Sequence, residues 1–177
     1  MTSTPAGTPT QAWGEPRSRT VVWHDPMTTA LAGAAMSGLD YLQAMADGVL
    51  PPAPIAGLMQ LGLTEVDAGR VVFTCRPDES AYNPIGAVHG GLVCTLLDSV
   101  AGCALHSTLP QGRGYTSIEI KVNYLKGVRV ESGLLTAVGT VVKAGSRVGF
   151  TEGIVTDESG AVVATATSTL LIFDLPG

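Results

Sequence analysis

Asn83-Pro84-Ile85-Gly86-Ala87-Val88-His89-Gly90-Gly91-Leu92-Val93-Cys94-Thr95-Leu96-Leu97-Asp98-Ser99 is the stretch around which the rest of the chain organises itself. A polar, turn-rich loop ends at His89, and a helix is predicted over 90–106. Leu92, Val93, Cys94, Leu96, Leu97, Val100, Ala101, Cys103, Ala104 and Leu105 make that helix apolar on almost every side, as expected for a helix buried in a core. Asp98 breaks the pattern. Its own face carries Cys94, Thr95, Ala101, Gly102 and Leu105, and no Lys or Arg lies within a turn to pair it. Either the helix has one wet stripe, or this carboxylate is held for chemistry. Gly102 and Leu105 are poor residues for a wet stripe, so Asp98 is a candidate base. His89-Gly90-Gly91 stands at the helix entrance, where the first amides lack internal partners and the dipole adds about half a positive charge. Glycines there let a ligand approach the backbone, so the turn is a candidate oxyanion site.

Working outward, the hydrophobic period changes from helical to alternating after Tyr115. Ile118, Ile120, Val122 and Tyr124 alternate with Ser117, Glu119, Lys121 and Asn123, which predicts a strand with Ser117 on the opposite face from the isoleucines. Strand-like runs follow over Leu134–Lys143, Arg147–Thr156 and Ala161–Phe173, separated by Ala144-Gly145-Ser146 and Asp157-Glu158-Ser159-Gly160, both hairpin-type loops. Upstream, Leu31, Ala35, Leu39, Leu42 and Met45 recur at three and four, predicting one helix that Pro51, Pro52 and Pro54 bring to an end. Two strands are expected near 62–66 and 70–76, joined by Asp67-Ala68-Gly69. One antiparallel sheet curled around one buried helix satisfies this order, an α+β domain over 31–177 behind a flexible leader over 1–30.

Composition removes several classes of function. The 177 residues carry 10 Lys+Arg against 15 Asp+Glu, a net charge of −5, so there is no basic footprint for nucleic acid. No apolar run is long enough for a transmembrane helix, and the Thr/Pro-rich N-terminus lacks the order of a signal peptide, so a cytoplasmic protein is expected. Cys75, Cys94 and Cys103 match no zinc pattern, and His24, His89 and His106 lack metal-ligand spacing, so neither a metal nor a redox cofactor is expected. No P-loop, dinucleotide fingerprint or Gly-x-Ser-x-Gly occurs.

Asn83-x-x-Gly86-x-x-His89-Gly90-Gly91 followed by Asp98 resembles the PaaI-like, acyl-CoA thioesterase branch of the hotdog-fold superfamily, and the resemblance runs from about Ile55 to Phe173. It implies a long helix wrapped by an antiparallel sheet, assembled as dimers and usually as dimers of dimers. Asp98 matches the family's catalytic carboxylate, and Gly90 the residue whose amide polarises the thioester carbonyl. His89 and Asn83 match loop residues that shape the site, with Gly91 beside them. Ser117 resembles a hydroxyl that some members place beside the carboxylate, with Thr116 as its rival. Where some relatives carry Ser or Thr one turn after the carboxylate, this chain has Gly102.

The resemblance implies hydrolysis of an acyl- or aryl-CoA thioester to free acid and CoA. Of the few cations, Lys126, Arg129, Lys143 and Arg147 sit at strand ends, and Lys143 and Arg147 are the candidates to meet the CoA phosphates. Two other readings stand beside it: a hotdog hydratase or dehydratase acting on acyl thioesters, and a non-catalytic acyl-CoA-binding module. His89 and Asp98 are nine residues apart, so on one helix they would lie roughly 13 Å apart along the axis and half a turn round. A two-fold dimer, in which one chain's Asp98 meets its partner's His89-Gly90 turn, is the expected remedy.

Overall fold

A computed structural model describes residues 14–175. The long helix is α4, Gly90–His106, and it lies on a six-stranded antiparallel sheet in the order β1-β2-β4-β5-β6-β3. The strands are β1 (Leu61–Asp67), β2 (Arg70–Cys75), β3 (Arg113–Tyr124), β4 (Leu135–Ala144), β5 (Val148–Thr156) and β6 (Val162–Asp174). This is the α+β hotdog arrangement expected from the sequence, with β3 at one edge of the sheet and β1 at the other.

The helix sits unusually close to the central strands because glycines receive it. Gly139 of β4 is paired across the ladder with Gly153 of β5. A β-carbon on Gly139 would stand 2.2 Å from the carbonyl oxygen of Val100, and one on Gly149 would stand 2.5 Å from the Leu105 side chain. Leu96, Leu97, Val100, Ala104 and Leu105 fill the trough and are fully buried together with Val71, Leu135, Val155 and Leu170.

The expectation that α4 is buried on every side is corrected. Cys94, Thr95, Asp98, Ser99 and Cys103 are only half-buried and Gly91 is exposed, so one side of the helix opens onto cavities. A one-layer sheet covers one side of a cylinder, and the remaining cover on this side is incomplete.

Strand β3 also departs from the expected alternation. Its register against β6 shifts between Ser117 and Glu119, a β-bulge at Ile118. Before the bulge, Tyr115 and Ser117 face the helix. After it, Ile120 and Val122 pack on the core and Tyr124 reaches Gly90. Ser117 is therefore on the same face as these residues, not the opposite one.

The N-terminal region holds two helices in place of the single one expected, α1 (Pro26–Ala34) and α2 (Gly38–Ala46), followed by α3 (Pro54–Met59). Asp25 caps α1 by accepting from Met27 N–H at 2.9 Å, so the helix begins inside the stretch read as leader. Ser37 caps α2, which is the local reason for the break. Residues 1–13 of that leader lie outside the described residues. Arg17 pairs with Glu79, and Arg19 donates to the Leu58 carbonyl at 2.7 Å, so the segment just before α1 lies against the body of the fold.

Candidate active site

Asp98 sits in the middle of α4 on its open side. Ser117 Oγ donates to Asp98 Oδ1 at 2.7 Å, and the bulge after Ser117 is what turns that hydroxyl toward the helix. Thr116, its rival, is exposed and does not line the cavity at Asp98. Among the described residues no cation is paired with Asp98.

One turn along, the missing side chain of Gly102 leaves the place that the Tyr115 ring occupies, where a β-carbon would come within 2.6 Å of the ring. Tyr115 was not singled out from the sequence; a Gly facing a Tyr across a helix–strand contact has no local signature. Burial first, then the nearby Cys103 and Asp98, hold the Tyr115 phenol well above its ordinary pKa. Burial likewise pushes the Cys103 thiol up to about 12, against a hydrogen bond from Tyr115 that lowers it. Both groups are therefore neutral near pH 7, which leaves the thiol without the thiolate that a nucleophile requires.

These residues border a cavity of about 1030 Å³ that runs from Asp98, Ser99, Cys103, Tyr115 and Ser117 to an apolar wall including Met45, Leu50 and Phe73. A carboxylate with an adjoining hydroxyl, opening onto an apolar chamber, can hold and activate a water molecule or attack a bound electrophile.

The other candidate residues lie elsewhere. His89 caps α4, its Nδ1 accepting from Gly91 N–H at 2.9 Å, and both residues border a separate hollow of about 500 Å³. Gly90 carries the first amide of α4, without an intrahelical acceptor, and its carbonyl accepts from the Tyr124 hydroxyl at 2.9 Å. Asn83 Oδ1 accepts from the amides of Ile85 and Ala87 at 3.1 and 3.2 Å, so this side chain folds the loop before the helix. Asn83 and Gly90 share a third hollow with Tyr124 and Lys126. Within one chain, then, Asp98 and the Gly90 amide open onto different surfaces.

Lys143 and Arg147 lie on either side of the β4–β5 turn and border none of these three hollows, so a single chain does not bring them to the site. The strand-end position that nominated them is the end of the sheet that carries the hairpin. Lys126, nearer to Gly90, is held by Asp157 at 2.6 Å. Among the described residues no cluster of His, Cys, Asp and Glu has the makings of a metal site, and no helix is long and apolar enough to cross a membrane.

Comparison with known proteins points to thioesterases. Residues 85–164, from the loop before α4 into β6, match the family model described as the thioesterase superfamily. The chain is 29% identical over 109 residues to human acyl-coenzyme A thioesterase 13, covering 60% of this chain and 76% of that protein. It is 41% identical over 69 residues to a Halobacterium salinarum protein named as an esterase, covering 38% of this chain and 44% of that one, so it spans less than half of that relative. A crystal structure from Ralstonia eutropha, titled as a thioesterase related to phenylacetic acid degradation, superposes with a TM-score of 0.68 at 27% identity, over 74% of this chain and 98% of the other. In its helix-on-sheet fold, its matched central segment and these relatives, the chain is similar to the thioesterase superfamily.

Proposed function

We propose that the protein hydrolyses acyl-CoA thioesters to a free acid and CoA. The observation that carries this reading is the Asp98–Ser117 pair, a carboxylate and hydroxyl 2.7 Å apart at the head of an apolar chamber, on a thioesterase fold. Asp98 takes a proton from water as the water oxygen attacks the thioester carbonyl carbon, or attacks that carbon itself and is released by water. In either course the C–S bond breaks, the sulfur leaves as the thiol of CoA after taking up a proton, and the acid departs. Ser117 orients the carboxylate, and the Gly90 amide stabilises the oxyanion.

This assignment requires Asp98 and Gly90 to meet, and two chains are the means. Strand β3 ends the sheet with a free hydrogen-bonding edge, and Ile118 and Tyr124 are 57% and 54% exposed along it. Antiparallel pairing of β3 with its two-fold copy, centred on Lys121 and keeping the bulge at Ile118 in each strand, sets Ser117 of one chain opposite Tyr124 of the other. Ser117 touches Asp98 and Tyr124 touches Gly90, so this pairing joins one chain's carboxylate to its partner's helix entrance.

Release of free thiol from a panel of acyl-CoAs tests the activity; a folded protein that releases none from any of them overturns it. For the shared site, Asp98→Ala and His89→Ala proteins, each inactive alone, are mixed under subunit exchange. Half the dimers are then mixed and each holds one intact site of two, so about a quarter of normal activity returns. No recovery, with exchange shown by mass spectrometry, places the residues within one chain.

A further inference from the structure

The cavity at Asp98 takes most of its wall from residues that precede the segment matched by the thioesterase family, so its shape depends mainly on the N-terminal helices, the segment after them and the first two strands. That wall is firmly seated. Leu42 of α2 is 1% exposed in the core, and Tyr41 packs on His106 of α4 with ring centres 5.6 Å apart. Gly38 approaches so closely that a β-carbon would stand 1.8 Å from the His106 carbonyl oxygen, and its amide donates to the Leu109 carbonyl at 3.0 Å. From α2 the chain crosses the cavity through Gly48, Val49, Leu50 and two prolines, and Thr29 of α1 donates to the Pro51 carbonyl at 3.3 Å.

The chamber thus has two ends of different chemistry. Asp98, Ser99 and Ser117 are at one, where the thioester carbonyl must lie. Met45, Leu50, Ile55 and Phe73 line the body of the cavity. Its volume of about 1030 Å³ is at the top of the range of roughly 300–1,000 Å³ usual for small-molecule pockets. An acetyl group would leave most of this apolar surface without a partner. A longer chain would cover it, each buried methylene strengthening binding roughly fourfold.

Resting on the thioesterase reading above, we infer that α2 and the segment through Ala56 form an acyl chamber that selects thioesters of extended apolar acyl chains, octanoyl and longer, over acetyl and butanoyl. Met45 and Leu50 are the specificity-determining residues, because both line the cavity and both are half-buried, whereas Leu42 is committed to the core.

The test measures kcat/KM for acetyl-, butanoyl-, octanoyl- and dodecanoyl-CoA in the full chain and in Met45→Ala, Met45→Trp and Leu50→Trp. For the unaltered protein the dodecanoyl-to-butanoyl ratio should exceed a hundred. Met45→Trp and Leu50→Trp should lower that ratio at least tenfold, and Met45→Ala should move the optimum to longer chains. Opposite shifts from filling and emptying one position cannot come from general destabilisation, and Leu50→Trp replaces Met45→Trp if the latter does not fold. A flat profile, or a ratio unmoved in folded variants, overturns the inference. Thermal stabilisation by the product acid separates it from the parent reading. Decanoate raising Tm where butanoate does not, with no thiol released from any thioester, would uphold the chamber and overturn the hydrolase; hydrolysis with no such preference would do the reverse.

Discussion

Helix α4 meets its surroundings in two different ways. Toward β4 and β5 it is pressed onto backbone, with no space for even one methyl group at Gly139 or Gly149. Toward β3 it is held off by side chains, the Tyr115 ring and the Ser117–Asp98 hydrogen bond, with a cavity alongside. The tight side fixes where the helix lies, because backbone atoms cannot repack around an intruder. The open side can then carry a carboxylate that does nothing for packing and still hold it within a fraction of an ångström of its hydroxyl partner, which is what a catalytic group requires of its scaffold. On the proposed mechanism, stability and chemistry are divided between two sides of one helix.

That division is most sharply tested at Asp98. Asp98→Asn keeps the shape and removes the base, so kcat should fall by about 10²–10⁴-fold with Tm unchanged or raised. A folded variant with near-normal kcat would return Asp98 to the role of a wet stripe. At the helix entrance, Gly90→Val sets a side chain against Tyr124, whose ring would lie 3.1 Å from the new β-carbon. It should cost about 10²–10³-fold in kcat/KM through the oxyanion amide, while Gly91→Ala is milder. Equal small effects at both positions would remove the turn from the mechanism. On the tight side the order of effects reverses. Gly139→Ala drives a methyl toward the Val100 carbonyl and should destabilise by about 1–3 kcal/mol in urea unfolding, with kcat in the surviving folded fraction close to normal. An unchanged urea midpoint would show that the helix can slide, and that the glycine trough does not position it.

The two sides were unequally legible in the sequence. The helix over 90–106 and the four strands after it announce themselves by period, and their observed bounds fall within one or two residues of the expected ones. Asp98 was legible because a lone carboxylate among small and apolar residues contradicts its surroundings. Ser117 was legible as a partner only by resemblance, since plain alternation assigned it to the wrong face; the bulge at Ile118 is an irregularity of pairing, which a single strand's sequence does not record. The split between α1 and α2 was hidden because Leu31, Ala35 and Leu39 keep helical spacing across it, while Ser37 as a cap and Gly38 as a contact gain their meaning from the distant end of α4. Tyr115 opposite Gly102, and the cavity wall built by Met45 and Leu50, are likewise products of tertiary contact.

The smallest effect expected concerns His106, where the tight and open sides converge at the last residue of α4. Its ring lies between Tyr41 and Tyr115, at 5.6 and 5.3 Å between centres. A helix C-terminus favours a charged imidazole, but burial disfavours it, and burial prevails: the His106 pKa is lowered from its ordinary 6.5. The unfolded chain therefore binds a proton at His106 that the folded chain resists. Stability from this group is complete above the unfolded value of about 6.5 and is lost as pH falls from there through the folded value. The measurement is the urea midpoint at pH 7.5 and at pH 5.5, in the unaltered protein and in His106→Phe, which keeps an aromatic ring between the tyrosines. Asp157, held down to about 2 by Lys126 and Ser159, loses its contribution only below pH 4 and does not enter this window. The midpoint should therefore drop on acidification in the unaltered protein and drop less in His106→Phe. Equal drops in both would mean that His106 is hydrated in solution, and that the seam between α2 and α4 is looser than the approach of Gly38 to the His106 carbonyl implies.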